Sequence, residues 1–98
     1  NGVILTLYFD GIEKANNFLG HEKVDNLILE LSAVMKESLH IDGVISRLDG
    51  SKLAIIIPRT EQDELEELSH TILSKSIIIL EKSSLYDCAI KVLNISYD

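Results

Sequence analysis

The segment Arg47-Leu48-Asp49-Gly50-Ser51-Lys52-Leu53-Ala54-Ile55-Ile56-Ile57-Pro58 gathers a guanidinium, a carboxylate, a hydroxyl and an ammonium within a few residues. Serine beside lysine has the composition of a nucleophile and its base. Neighbours on a strand point to opposite faces, however, so Ser51 and Lys52 do not make a working pair, and Lys52 reads as a solvent-facing hairpin residue. Upstream, Asp10 is a single carboxylate, which holds Mg²⁺ poorly without substrate phosphates. His21, His40 and His70 stand at no metal-like spacing, and His21, in a Gly-His turn, reads as structural. Cys88 is the one cysteine. It excludes an internal disulfide and a paired thiolate set, points to a reducing compartment, and is expected to pack as a small hydrophobe. Asn16 and Asp25 could each cap a helix, since Asp25 lies near the start of a long one, where the macrodipole favours a carboxylate.

The elements that must hold these groups follow from periodicity. Val3 to Phe9 is a continuous β-rich apolar run, expected to be a central strand buried on both faces. Asp10-Gly11 ends it, and a short helical segment through Lys14, Ala15 and Asn16 leads to Gly20, a helix stop. From Glu22 to His40, Val24, Leu27, Ile28, Leu31, Val34, Met35 and Leu39 recur at helical spacing, the strongest helix signal in the chain. Val44–Leu48 and Lys52–Ile57 flank Asp49-Gly50, a pair suited to a two-residue hairpin turn because both can take positive φ. Thr60 with Asp63 gives a capping-box signature before a second amphipathic helix, Glu61 to Ser74. Ile77 to Leu80 fits either an extension of that helix or a strand, and its three isoleucines lean towards strand. Glu81 to Ser84 reads as a loop and Ala89 to Tyr97 as the last strand. This order implies an α+β sandwich with a mostly antiparallel central sheet and helices packed on it.

At 98 residues, 46% of them hydrophobic, the chain is expected to be one domain with a small core. The first strand opens almost at residue 1, so residues 1–98 are read as a single domain cut from a larger multidomain protein. Nine basic residues against 16 acidic ones give a net charge of −7, which disfavours nucleic acid and anionic membranes as partners. Glu61, Asp63, Glu64, Glu66 and Glu67 alternate with Leu65 and Leu68, as on a solvated helix face. The longest apolar run, Leu53 to Ile57, is far too short to span a bilayer, and no basic start precedes an apolar stretch as in a signal peptide. The expected location is cytoplasmic, with membrane anchoring of a parent protein left open.

Three motifs in order give a resemblance to a known family. Arg47 to Pro58 is similar to R-x-G-G-[DE]-E-F-x-x-x-x-P of diguanylate cyclase (GGDEF) domains, with Asp49-Gly50-Ser51-Lys52-Leu53 in place of Gly-Gly-acid-Glu-Phe. Tyr8 to Asp25 resembles D-[IVL]-D-x-F-K-x-[IV]-N-D-x-x-G-H-x-x-G-D, with Asn16, Gly20, His21 and Asp25 matching and no gap needed onward to the hairpin. Asn94-Ile95-Ser96 sits where the family has Ser-Ile-Gly. The resemblance implies a ferredoxin-like, nucleotide-cyclase palm truncated at both ends, lacking the family's final helix and strand. Active members join two GTP molecules into cyclic di-GMP, and their chemistry needs carboxylates to hold Mg²⁺ against triphosphate oxygens. By the resemblance, the two metal-holding carboxylates are replaced here by Tyr8 and Ser51, and Lys52 reverses the sign of its position. The inhibitory-site motif R-x-x-D maps to His40-Ile41-Asp42-Gly43 and fails at both ends. Asn16 and Asp25 match the positions that read the guanine edge.

The resulting expectation is a catalytically inactive GGDEF-like domain, not an enzyme and without a cofactor or metal. It would act as a regulatory or dimerising module of a bacterial cyclic di-GMP signalling protein. Its partners would be the neighbouring domains of the parent protein and a second copy in a homodimer, with no nucleic acid and no direct membrane insertion. The alternative is an allosteric guanine-nucleotide sensor holding GTP weakly through Asn16 and Asp25.

Overall fold

A computed structural model describes residues 2–40 and 44–97. The elements run β1 (Gly2–Asp10), α1 (Ile12–Leu19), α2 (His21–Leu39), β2 (Ser46–Leu48), β3 (Lys52–Pro58), α3 (Gln62–Lys82) and β4 (Ala89–Tyr97). The strands form one antiparallel sheet in the order β2-β3-β1-β4, so β1 lies in the interior beside the hairpin, as the sequence predicts.

Burial along β1 alternates. Val3, Leu5, Leu7 and Phe9 are buried, whereas Ile4, Thr6 and Tyr8 are only partly covered. The expectation of a strand buried on both faces is therefore corrected: the helices cover one face. Residues directly opposite on paired strands share a face, so Leu53, Ile55 and Ile57 of β3 join the odd-numbered side. On that side they meet Val24, Leu27, Ile28, Leu31 and Met35 of α2 and Leu65, Ile72 and Leu80 of α3. The other face carries Ile56, Leu93 and Ile95, all exposed, around Ile4. A fully buried aliphatic side chain contributes roughly 1.5–3 kcal/mol, so the odd-numbered face is where the sheet gains its stability.

The third helix corrects two further expectations. It does not end at Ser74 but continues through Ile77–Leu80 and Glu81 to Lys82, so this stretch holds neither a strand nor a loop. The reason is tertiary: Leu65, Ile72, Ser76 and Leu80 form one buried stripe at helical spacing, and covering it outweighs the β preference of the isoleucines. Ile77 and Ile78 are left exposed on the outer side. Beyond the helix, the Leu85 N–H bonds the Leu80 carbonyl and the Ser84 N–H that of Glu81, with Ser84 at φ 59°. This is a Schellman closure, with Leu80 and Leu85 both buried as its apolar contact.

Smaller differences lie at the element ends. The capping box does not form: Glu61 is the N-cap, without a side-chain cap, and the Thr60 hydroxyl donates instead to the Pro58 carbonyl at 2.9 Å. The strand expected from Val44 starts at Ser46. Leu48 pairs with Lys52, which makes the turn a three-residue loop, Asp49–Ser51, with Asp49 at φ 43° and Gly50 at φ 82°.

Candidate functional site

The sheet register brings the signature loop to the end of β1. Tyr8 faces Lys52 across the ladder, and the Phe9 N–H donates to the Ser51 carbonyl at 2.8 Å. Directly afterwards the chain turns at Gly11, at φ 98°, and enters α1. A Cβ there would stand 3.1 Å from the Cys88 sulfur. Phe9 to Lys14 and Ser51 together line an open hollow of about 340 Å³.

Contacts within the loop are local and polar. The Asp49 carboxylate accepts from the Ser51 hydroxyl at 3.0 Å and from the Ser51 N–H at 3.4 Å, and it pairs with the Lys52 ammonium at 3.4 Å. The Ser51 hydroxyl, chiefly, holds the Asp49 carboxyl below its ordinary pKa, with the Ser51 N–H and Lys52 adding to this. The same ammonium lies 4.9 Å from the centroid of the Tyr8 ring, within cation–π range. Tyr8 is thus on the sheet face away from the core, under Lys52.

The two positions that the resemblance links to metal therefore present a phenol and a hydroxyl, with a cation between Asp49 and the phenol ring. Among the described residues no group of three His, Cys, Asp or Glu side chains is placed to hold a metal ion. These residues do not fit Mg²⁺, whose sites are built from carboxylates and phosphate oxygens.

Asn16 and Asp25 are carried by consecutive helices. Asn16 is half-buried on α1 and its carbonyl accepts the Gly20 N–H at 2.8 Å. Asp25 is exposed near the start of α2. Arg47 was the unassigned first residue of the signature, and the structure gives it a job: its Nη1 donates to Asp25 Oδ1 at 3.0 Å while its Nε donates to the Gly50 carbonyl at 3.1 Å. One guanidinium thus ties the loop to α2 and engages one oxygen of Asp25. The only hint in the sequence was an arginine at the head of the motif, and nothing there named its partner. Neither Asn16 nor Asp25 makes a side-chain N-cap bond.

Leu53 is buried in the core and lines no site. His21 opens α2, exposed. Cys88 is half-buried, its thiol 3.4 Å from the Gly11 carbonyl, and burial pushes its pKa up. Asn94 reaches across to α3, its side-chain amide donating to the Ser69 hydroxyl at 3.4 Å. Of the R-x-x-D counterpart, Ile41, Asp42 and Gly43 lie outside the described residues.

The structure is similar to the active GGEEF domain of a diguanylate cyclase from Vibrio cholerae, with a TM-score of 0.72 at 14% identity, covering 98% of this chain and 63% of that one. It is also similar to the GGDEF domain of the PA2567 protein from Pseudomonas aeruginosa, with a TM-score of 0.57 at 15% identity, covering 97% of this chain and 64% of that one. This chain therefore spans less than two thirds of either, and at these identities the likeness is one of fold. No curated protein matches the chain in sequence. The family model described as "Diguanylate cyclase, GGDEF domain" matches residues 1–92, nearly the whole length. With the cyclase-palm sheet, the hairpin beside the end of β1 and this match together, the chain belongs to the GGDEF domain family.

Proposed function

We propose that this domain does not synthesise cyclic di-GMP and serves as a regulatory or protein-interaction module in a cyclic di-GMP signalling protein, acting through the domains beside it or through a second copy. One observation carries the reading: the Lys52 ammonium sits between the Asp49 carboxylate and the Tyr8 ring, beside Ser51, where the family's chemistry calls for carboxylates around a divalent cation. A fixed positive charge opposes metal entry, and two-metal or metal–phosphate catalysis has no substitute for the missing oxygen ligands.

A second reading, guanine-nucleotide sensing, is favoured by the hollow of about 340 Å³ at the start of α1, near the helix that carries Asn16. Against it stand the Arg47 contact to Asp25 and the net charge of −7, which repels a triphosphate. Calorimetric titration with GTP and Mg²⁺ separates the two. The module reading expects no saturable heat. Saturable binding that drops about tenfold to a hundredfold in Asn16→Ala or Asp25→Ala, as for loss of one good hydrogen-bonding partner, would establish the sensor instead.

A further inference from the structure

A hollow of about 200 Å³ lies between α1 and the turn that joins α3 to β4. Lys14 and Phe18 line it from α1, four residues apart and so on one helix face. Leu85, Tyr86, Asp87 and Cys88 line it from the turn. That turn is pinned at both ends: Leu85 is buried, the Cys88 N–H donates to the Leu85 carbonyl at 3.4 Å, and the Cys88 thiol donates to the Gly11 carbonyl at 3.4 Å. Tyr86 and Asp87, held between these anchors, stand exposed.

The chain's aromatic residues are three tyrosines and two phenylalanines, and the two most exposed of them, Phe18 at 65% and Tyr86 at 76%, border this one hollow. Aromatic rings are enriched at the centres of protein interfaces, and a pinned turn presents Tyr86 without the ordering cost of a mobile loop. There is room for one further ring, since a cavity of about 150 Å³ accepts benzene. The flanking charges are of both signs. Among the described residues the ion pairs are Arg47 with Asp25 and Lys52 with Asp49, so Lys14 and Asp87 border the hollow unpaired. A patch with one free cation, one free anion, a projecting ring and space for a ring complements itself. Under a two-fold axis, where residue i meets j and j meets i, each group finds its counterpart on an identical copy. The net charge of −7 on each chain opposes the contact, but exposed charges further apart than about 8 Å are largely screened at physiological salt.

We propose that this hollow is a homodimer contact: the Tyr86 ring of each copy enters the hollow of the other beside Phe18, and Lys14 of each pairs with Asp87 of the other. The proposal rests on the reading of the domain as an interaction module and names the surface through which a second copy is held. Failure of the two is distinguishable: cyclic di-GMP formation would overturn the module reading without touching the oligomeric state, and a monomeric domain would leave the loss of synthesis as it stands.

The test is analytical ultracentrifugation of the domain from about 1 μM to 1 mM at about 0.15 M salt, the range over which a small interface assembles. A monomer–dimer equilibrium is expected. Tyr86→Ser and Phe18→Ser, both exposed and with their folds checked by circular dichroism, should each weaken it about tenfold or more, as for loss of an aromatic anchor. Lys14→Glu and Asp87→Lys should each weaken it roughly threefold to tenfold, because each sets like charges against one another across the axis. Their combination restores opposite charges and should recover most of the loss. Asp87→Lys separates this from diffuse repulsion: it lowers the negative charge of the chain, so repulsion alone would give tighter association where the reciprocal pair gives weaker. A monomer throughout the range, a dimer indifferent to Tyr86→Ser, tighter association of Asp87→Lys, or no recovery in the double variant would overturn the proposal.

Discussion

Replacing Ser76 by alanine is expected to stabilise the domain. Ser76 lies on the buried stripe of α3, fully shielded from solvent, and its Oγ has no hydrogen-bond partner among the described residues. In the unfolded chain that hydroxyl is hydrated, so folding strips water from it without compensation, a cost of about 1–3 kcal/mol. Alanine removes the cost, leaves little empty space and is the better helix former by up to about 0.7 kcal/mol. The lost contacts of one oxygen offset part of this, each atom pair contributing only about 0.1–0.2 kcal/mol. The net gain is about 1–2 kcal/mol, and each kcal/mol raises Tm by roughly 4–8 °C in a domain of this size. Urea denaturation followed by circular dichroism measures it, with an unchanged m-value showing that only stability moved. Destabilisation of Ser76→Ala by about 1 kcal/mol or more would mean that the hydroxyl has a partner, and would refute the account of this stripe.

Other consequences of the fold can be checked in the same way. Ile72→Ala should cost about 2–5 kcal/mol because the side chain is fully buried, whereas Ile77→Ala, on the outer side of the same helix, should cost well under that; a reversed order would return Ile77–Leu80 to a strand-like environment. Ser84→Gly should stabilise by roughly 1 kcal/mol, since a left-handed residue with a Cβ carries that strain, and an equal loss measured by denaturation would argue against the Schellman closure. The Asp49 carboxyl, followed by NMR, should titrate below the ordinary aspartate range and move upward in Ser51→Ala. Its folded-state pKa is lowered, so any stability linked to it is present above the unfolded carboxylate pKa and fades as pH falls through the folded one; an unmoved titration in Ser51→Ala would remove the serine hydroxyl as the cause.

Much of this was legible because pattern and packing agree. The run Val3–Phe9 had to be a strand, the repeat from Val24 to Leu39 a helix, and Asp49-Gly50 a turn, and the three motifs placed the family. Where residues carry two signals the sequence was ambiguous. The isoleucines at 77–79 favour a strand locally, and only the buried positions of Ile72, Ser76 and Leu80 decide for a helix. A wholly apolar strand does not announce that one of its faces stays open, as β1 does at Ile4, Thr6 and Tyr8. At the site, the loop and its changed residues were visible, but the Arg47–Asp25 contact spans 22 positions and depends on how α2 lies against the hairpin. Lys52 over Tyr8 is likewise a matter of strand register, which fixes cross-strand neighbours that no local spacing reveals.

Whether the domain makes cyclic di-GMP is decided by incubating it with GTP and Mg²⁺ or Mn²⁺ and measuring the product by mass spectrometry. No product is expected above a protein-free control. None is expected from the Tyr8→Asp, Ser51→Glu, Lys52→Glu triple variant either, although that variant should gain measurable Mn²⁺ binding once oxygen ligands replace the ammonium and its neighbours. Cyclic di-GMP formed by the unmodified chain would overturn the proposed loss of synthesis.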